Sequence, residues 1–120
     1  MLEGMENIKI YSRVNLSKMM DHNEEEVNEL MKIFIDMAPS MLDDLKDYAH
    51  SNNWQMCSGV AHKLKSSMRL WAIDSLDEDV VFIEANSENP LYHEVVFEKI
   101  NNLRDKLLVV IDQMKLEVGS

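Results

Sequence analysis

The chain has 120 residues, with 12 Lys and Arg against 22 Asp and Glu, for a formal net charge of −10. That length suits one domain with one core; 46% apolar residues argue against disorder, and three Gly with two Pro are too few for the turns of a β-protein. A surface this acidic repels a phosphate backbone, so nucleic-acid binding is not expected. No apolar run approaches the roughly 18 residues of a membrane span, and the N-terminus shows no signal-peptide pattern. The lone Cys57 excludes an internal disulfide and suits a reducing compartment. An all-α, cytoplasmic, monomeric domain without membrane contact is the expectation.

Residues 1–20 read as a lead-in. Ile8 and Ile10 alternate with polar neighbours over too short a stretch for a strand, and residues 15–20 suit a turn of helix covering one end of the core. Met1–Gly4 and Gly119–Ser120 resemble expression scars, which points to an excised module. Residues 21–120 form the domain proper. Asn23 with Glu26 three residues on is a capping-box-like start, and Glu24, Glu25 and Glu26 suit the positive end of a helix. Val27, Leu30, Met31 and Phe34 follow at helical spacing, which predicts a helix over 23–36. Pro39 reads as the first turn of a second helix over 39–51, where its missing N–H costs nothing. That helix has an apolar stripe of Met41, Leu42, Leu45, Tyr48 and Ala49, and Asn52-Asn53 end it.

A third helix is predicted over 54–72. Asp74 is placed to cap a fourth over 75–86, with Leu76, Val80 and Ile83 on one face. Asn86 to Pro90 is loop by composition. A last helix over 91–117, about 40 Å long, carries Val96, Ile100, Leu103, Leu107, Val110 and Met114 at alternating spacings of four and three. Short loops and single-faced helices predict an antiparallel up-and-down four-helix bundle with an additional N-terminal helical segment.

The third helix carries the chemistry. On a wheel of about 100° per residue, Cys57, Val60, Ala61, Leu64, Met68 and Trp71 form the core stripe, and His62 lies nearly opposite its centre. Ser58, Gly59, Lys65 and Ser66 flank the imidazole at three- or four-residue spacing, and Arg69 follows two turns on. Gly59 costs a helix interior about 1 kcal/mol relative to Ala, a cost that close approach by another protein would explain. A neutral imidazole nitrogen is a nucleophile at cellular pH, so this face suits reversible attachment of a phosphoryl group. Lys65 and Arg69 would offset the incoming charge. From the residues alone, an ordinary solvated histidine stays equally open.

Other constellations carry less. His22, His50 and His93 have no partner at metal-ligand spacing and read as surface residues, so no metal site is expected. Cys57 reads as a buried small hydrophobe. No Gly-rich phosphate loop is present, which leaves no means of binding ATP by that route. Asp77-Glu78-Asp79 reads as a solvated face. Most of the ten Met fall on core stripes, and Met37 and Met41 are the exceptions, candidates for an exposed apolar patch that helps dock a partner.

Ala61-His62-Lys63-Leu64-Lys65-Ser66-Ser67 resembles the Ala-His-x-Leu-Lys-Gly-Ser signature of histidine-containing phosphotransfer (HPt) domains of bacterial phosphorelays. Phe34, Pro39, Leu42 and Leu45 are similar to that family's first two helices, Asn53-Trp54 to the start of its histidine-bearing helix, and Leu76 and Ile83-Glu84 to the next one. The resemblance runs from about Tyr11 to Glu84. It implies that His62 is phosphorylated on Nε2, that Lys65 sits beside the phosphoryl group, and that Glu84 accepts a hydrogen bond from Nδ1–H. It also implies a phosphorelay intermediate rather than an enzyme. Phosphate would come from an aspartate of one receiver domain, in some cases within a hybrid histidine kinase, and pass to another. The domain would have no cofactor of its own, the Mg²⁺ being held by the receiver. Ser58, Gly59, Lys63, Ser66, Met37 and Met41 would contact the partner. Two positions depart from the family pattern: Ser66 stands where Gly is usual, and Ala72 where a later small residue, often Gly, is found. The rival expectation is a docking bundle that binds a receiver or kinase domain without being phosphorylated. A hydrolase using His62 is disfavoured, because no carboxylate lies one turn away to complete a dyad.

Overall fold

The structure is a computed structural model that describes residues 10–119. The expectations for Met1–Gly4, Ile8 and Ser120 lie outside the described residues. The described chain is all-helical, without a strand: α1 (Val14–Met19), α2 (Glu24–His50), α3 (Trp54–Leu70), α4 (Asp77–Asn86) and α5 (His93–Val118), with 3-10 turns at Asp74–Leu76 and Pro90–Tyr92.

α2 starts as its sequence predicts. The Glu26 N–H donates to the Asn23 side-chain oxygen at 3.2 Å, and three glutamates occupy the first turn. It does not stop where predicted. Helices expected over 23–36 and 39–51 are one helix of 27 residues with Pro39 in its interior. Proline there removes one backbone hydrogen bond and crowds the preceding turn, at a cost of about 3 kcal/mol. The buried stripe explains why the helix continues. Phe34, Ile35 and Ala38 precede Pro39, Leu42, Leu45 and Ala49 follow it, and all six are buried. Each large apolar side chain contributes roughly 1.5–3 kcal/mol when fully buried, so breaking the stripe would cost more than keeping the proline. α2 ends at His50, and Asn52 takes a left-handed conformation with φ 60°.

Asp74 does not cap the fourth helix. It opens a 3-10 turn, and α4 begins at Asp77 without a side-chain cap, its first turn holding Asp77, Glu78 and Asp79. Between α3 and that turn, Ala72 is held at φ 52°, so the position where the HPt pattern often has glycine is left-handed here. Gly119, expected to be a scar, ends α5 in the left-handed conformation with φ 72°, its N–H on the Lys115 carbonyl.

α3 packs between α2 and α4, and α5 packs against both α2 and α4. Val27, Met31, Leu45, Cys57, Leu64, Val80, Ile83, Leu103 and Leu107 are among the fully buried side chains of the single core. Trp71 is buried, as its place opposite His62 on the wheel requires, and meets Phe34 with ring centroids 6.4 Å apart. Part of the lead-in belongs to the fold. Leu16 and Tyr11 join the core, the Ser12 N–H donates to the Trp71 carbonyl at 2.8 Å, and Tyr11 and Arg13 both donate to Glu117 near the end of α5.

Three further expectations change in the fold. Asp77-Glu78-Asp79 is not a uniformly solvated face: Asp79 is buried, accepting from Lys99 at 3.1 Å and Asn102 at 2.5 Å, which ties α4 to α5. His93 is not a plain surface residue either. Its ring stacks on Trp54 at 3.7 Å, and its Nε2 donates to the Ser87 carbonyl at 2.9 Å. Met41 is half-buried against the core, so of the two methionines expected in an exposed patch only Met37 is largely exposed. His22 and His50 are exposed.

Candidate functional site

The 3.6-residue period of α3 puts Ser58, His62, Lys65 and Arg69 in one row, and this row lies along α4. Asp77 and Glu84, two turns apart on α4, face it. Arg69 donates to the two Asp77 carboxylate oxygens at 2.8 and 3.0 Å, while Ser58, His62 and Lys65 all reach Glu84. Early residues of α3 thus meet late residues of α4, so the two helices run in opposite directions.

Glu84 is the centre of the site. Its Oε2 lies 2.5 Å from His62 Nδ1, its Oε1 accepts from the Lys65 ammonium, and its backbone carbonyl accepts from Ser58 Oγ at 2.8 Å. A carboxylate only accepts, so Nδ1 carries the proton, and in a neutral ring Nε2 keeps its lone pair. The Lys65 ammonium, and after it the His62 ring, hold the Glu84 carboxyl below the usual carboxylate range against the opposing effect of burial. His62 itself is 64% exposed, and no partner of its Nε2 occurs among the described residues. The site therefore presents a nucleophilic nitrogen to solvent, with the other ring nitrogen tethered and a cation sharing the tether.

The remaining predicted residues divide between two sides of His62. Ser58 is partly buried, and its hydroxyl donates to the Glu84 carbonyl of α4. The Arg69 guanidinium is held by Asp77, which lowers the Asp77 pKa and raises that of Arg69. The structure thus does not bring Arg69 to the imidazole. On the opposite flank Gly59, Lys63 and Ser66 are exposed. The Ser66 hydroxyl donates back to the His62 carbonyl at 3.2 Å, and a Cβ at Gly59 would meet nothing within 4 Å among the described residues. Lys63 makes no ion pair among the described residues. Met37 lies farther off, lining an apolar groove with Ile33, Leu70 and Trp71. Cys57 is buried, donates to the Leu45 carbonyl at 3.6 Å, and has its thiol pKa pushed up to about 11 by burial, which leaves it inert.

Sequence reasoning missed the Arg69–Asp77 pair, the Ser58–Glu84 bond, and Ile33 and Leu70 in the groove. The seven-residue separation of Asp77 and Glu84 was a usable signal, since it matches the separation of His62 and Arg69 on α3, which meet Glu84 and Asp77 respectively. Among the described residues, no group of three His, Cys, Asp or Glu side chains is placed to hold a metal ion, and no helix is long and apolar enough to cross a membrane. No protein-family model matches the chain, and neither does a curated protein or a solved structure.

Proposed function

We propose that this chain is a histidine phosphotransfer domain: an antiparallel up-and-down four-helix bundle of α2, α3, α4 and α5 that relays phosphate between receiver domains through His62. The observation that carries the reading is the exposed imidazole whose Nδ1 is bonded to Glu84 at 2.5 Å, leaving Nε2 turned to nucleophilic use. The chemistry balances without a further co-reactant. Nε2 attacks the phosphorus of a receiver's aspartyl phosphate, the Nε2–P bond forms, and the acyl O–P bond breaks, with its electron pair remaining on the receiver's carboxylate. Nδ1 keeps its proton throughout, so the phosphorylated ring bears a positive charge that the Glu84 carboxylate faces directly. Passing the group to a second receiver reverses these steps.

The receiver would supply the Mg²⁺ and the in-line geometry, and this domain a rigid nucleophile, so the chain is not an enzyme in its own right. Lys65 is one contact from the imidazole through Glu84 and would turn its ammonium toward the incoming phosphoryl oxygens. Arg69, engaged by Asp77, would act mainly by fixing α3 against α4. Gly59, Lys63 and Ser66 would admit the partner on the open flank, with Met37 farther along. The reading includes a cytoplasmic location.

The test is incubation with a phosphorylated receiver domain. Acid-labile, base-stable label is expected on the chain and is expected to vanish in His62→Gln. Label that survives this substitution ends the proposal. Binding without label, unaffected by His62→Gln, identifies a docking module instead.

A further inference from the structure

The geometry points to Ser58 as a positioning residue for His62, acting through the backbone of Glu84. This deepens the phosphotransfer reading. Glu84 lies two residues before the end of a ten-residue helix, in the turn whose carbonyls lack an N–H from their own helix. The Ile83 carbonyl is supplied locally, by the Ser87 N–H at 3.1 Å and the Ser87 hydroxyl at 2.5 Å. The Glu84 carbonyl is supplied from another helix, by Ser58 Oγ at 2.8 Å, 26 residues away in sequence. One side-chain hydroxyl on α3 thus holds the backbone at Glu84 against the histidine-bearing helix, in addition to the apolar packing and the Arg69–Asp77 pair that join the two helices.

This matters because Glu84 has two side-chain claimants. Oε1 takes the Lys65 ammonium and Oε2 takes His62 Nδ1. Lys65 is on a long flexible stem and follows the carboxylate wherever it moves. The imidazole, one turn of helix from Ser58, has only two rotatable bonds and follows less far. If the α4 backbone is released, the ion pair survives and the His62 bond is the contact that loosens. Ser58 and His62 are four residues apart on the same face of α3, so the hydroxyl sets the backbone of Glu84 and the ring meets its carboxylate within one helical turn. The sequence reading, which assigned Ser58 to the partner, is replaced by this internal role.

The experiment follows the tautomer of His62 by ¹⁵N chemical shifts of the imidazole nitrogens in the whole chain. Wild type, Ser58→Ala, Ser58→Thr and Glu84→Ala are compared at a pH where the ring is neutral. Ser58→Ala keeps the fold, since alanine is the better helix former, and an unchanged far-UV circular dichroism spectrum verifies it. Wild type is expected to be protonated on Nδ1. Ser58→Ala is expected to shift the tautomer ratio toward Nε2–H by roughly three- to tenfold, the worth of one hydrogen bond, in the same direction as Glu84→Ala. Ser58→Thr, which keeps the hydroxyl, is expected to return the ratio to wild type. Ser58→Ala shifts that coincide with wild type, or a failure of threonine to rescue, would overturn the assignment. The spectra need no partner. Absence of label on the wild-type chain defeats phosphotransfer while the tautomer ratio still supports Ser58, and normal labelling with coincident spectra defeats Ser58 alone.

Discussion

Gly59 offers the sharpest separation of stability from function. It sits inside α3, exposed, with open space where a Cβ would be. Nothing among the described residues therefore requires glycine at this position. An exposed interior helix position gains about 1 kcal/mol when Gly becomes Ala. At roughly 2.1 cal/mol/K of unfolding entropy per residue, 120 residues give about 0.25 kcal/mol/K, so Gly59→Ala should raise Tm by about 4 °C. Gly59→Gln, also a good helix former, should raise Tm by a similar but smaller amount, because its side chain meets only solvent. Phosphotransfer should move the opposite way. Gly59 lies one turn from His62 on the open flank, and in the proposed phosphotransfer a glutamine there would intrude where a receiver closes on Nε2. We expect at least a roughly tenfold loss of transfer rate in Gly59→Gln, equivalent to about 1.4 kcal/mol of docking energy, and a smaller loss in Gly59→Ala. Thermal melts followed by circular dichroism and single-turnover labelling by a phosphorylated receiver measure the two quantities. A Gly59→Gln variant that is more stable and transfers at the wild-type rate would refute the idea that the glycine makes room for a partner. A fall in Tm for Gly59→Ala would refute the packing argument itself.

Three further outcomes are expected. Pro39→Ala restores an N–H to the interior of α2 and should stabilise the domain by about 1–3 kcal/mol, read as a higher urea midpoint with an unchanged slope; a loss of stability would show that the proline relieves a local constraint. Glu84 has its folded pKa depressed, first by the Lys65 hydrogen bond, so its contribution is complete above the ordinary carboxylate value of 4.5 and is lost as pH falls through its lower folded value; the stability gap between wild type and Glu84→Gln should be constant above that window and close below it, and a gap that persists in acid would exclude the ion pair as its source. Asp79→Ala removes a buried acceptor shared by Lys99 and Asn102 and should cost about 2 kcal/mol, or about 8 °C in Tm, whereas Glu78→Ala beside it on the exposed side should change Tm by less than about 2 °C.

Much of the site was legible because helical periodicity is a local property. Once α3 is granted, its wheel places His62 opposite Trp71 whatever else the chain does, and the structure has the ring 64% exposed and the indole buried. The same wheel set Ser58, Lys65, Ser66, Gly59 and Arg69 around the imidazole without distinguishing the flank against α4 from the flank facing solvent. Ser58, Lys65 and Arg69 are spent on Glu84 and Asp77, so the cationic face expected around His62 reduces to Lys63 and an ammonium already shared with a carboxylate.

The amino-acid sequence alone determined the all-helical class, the Asn23 start of α2, the exposed face of α3 and the identity of its histidine, because each rests on residue type and on contacts within one or two helical turns. The tertiary structure decided whether Pro39 ends a helix, whether Asp79 is wet and which carboxylate each cation meets. Each of these is a competition between a local preference worth a few kcal/mol and a neighbouring helix that contributes as much or more, and no local pattern records which neighbour is present.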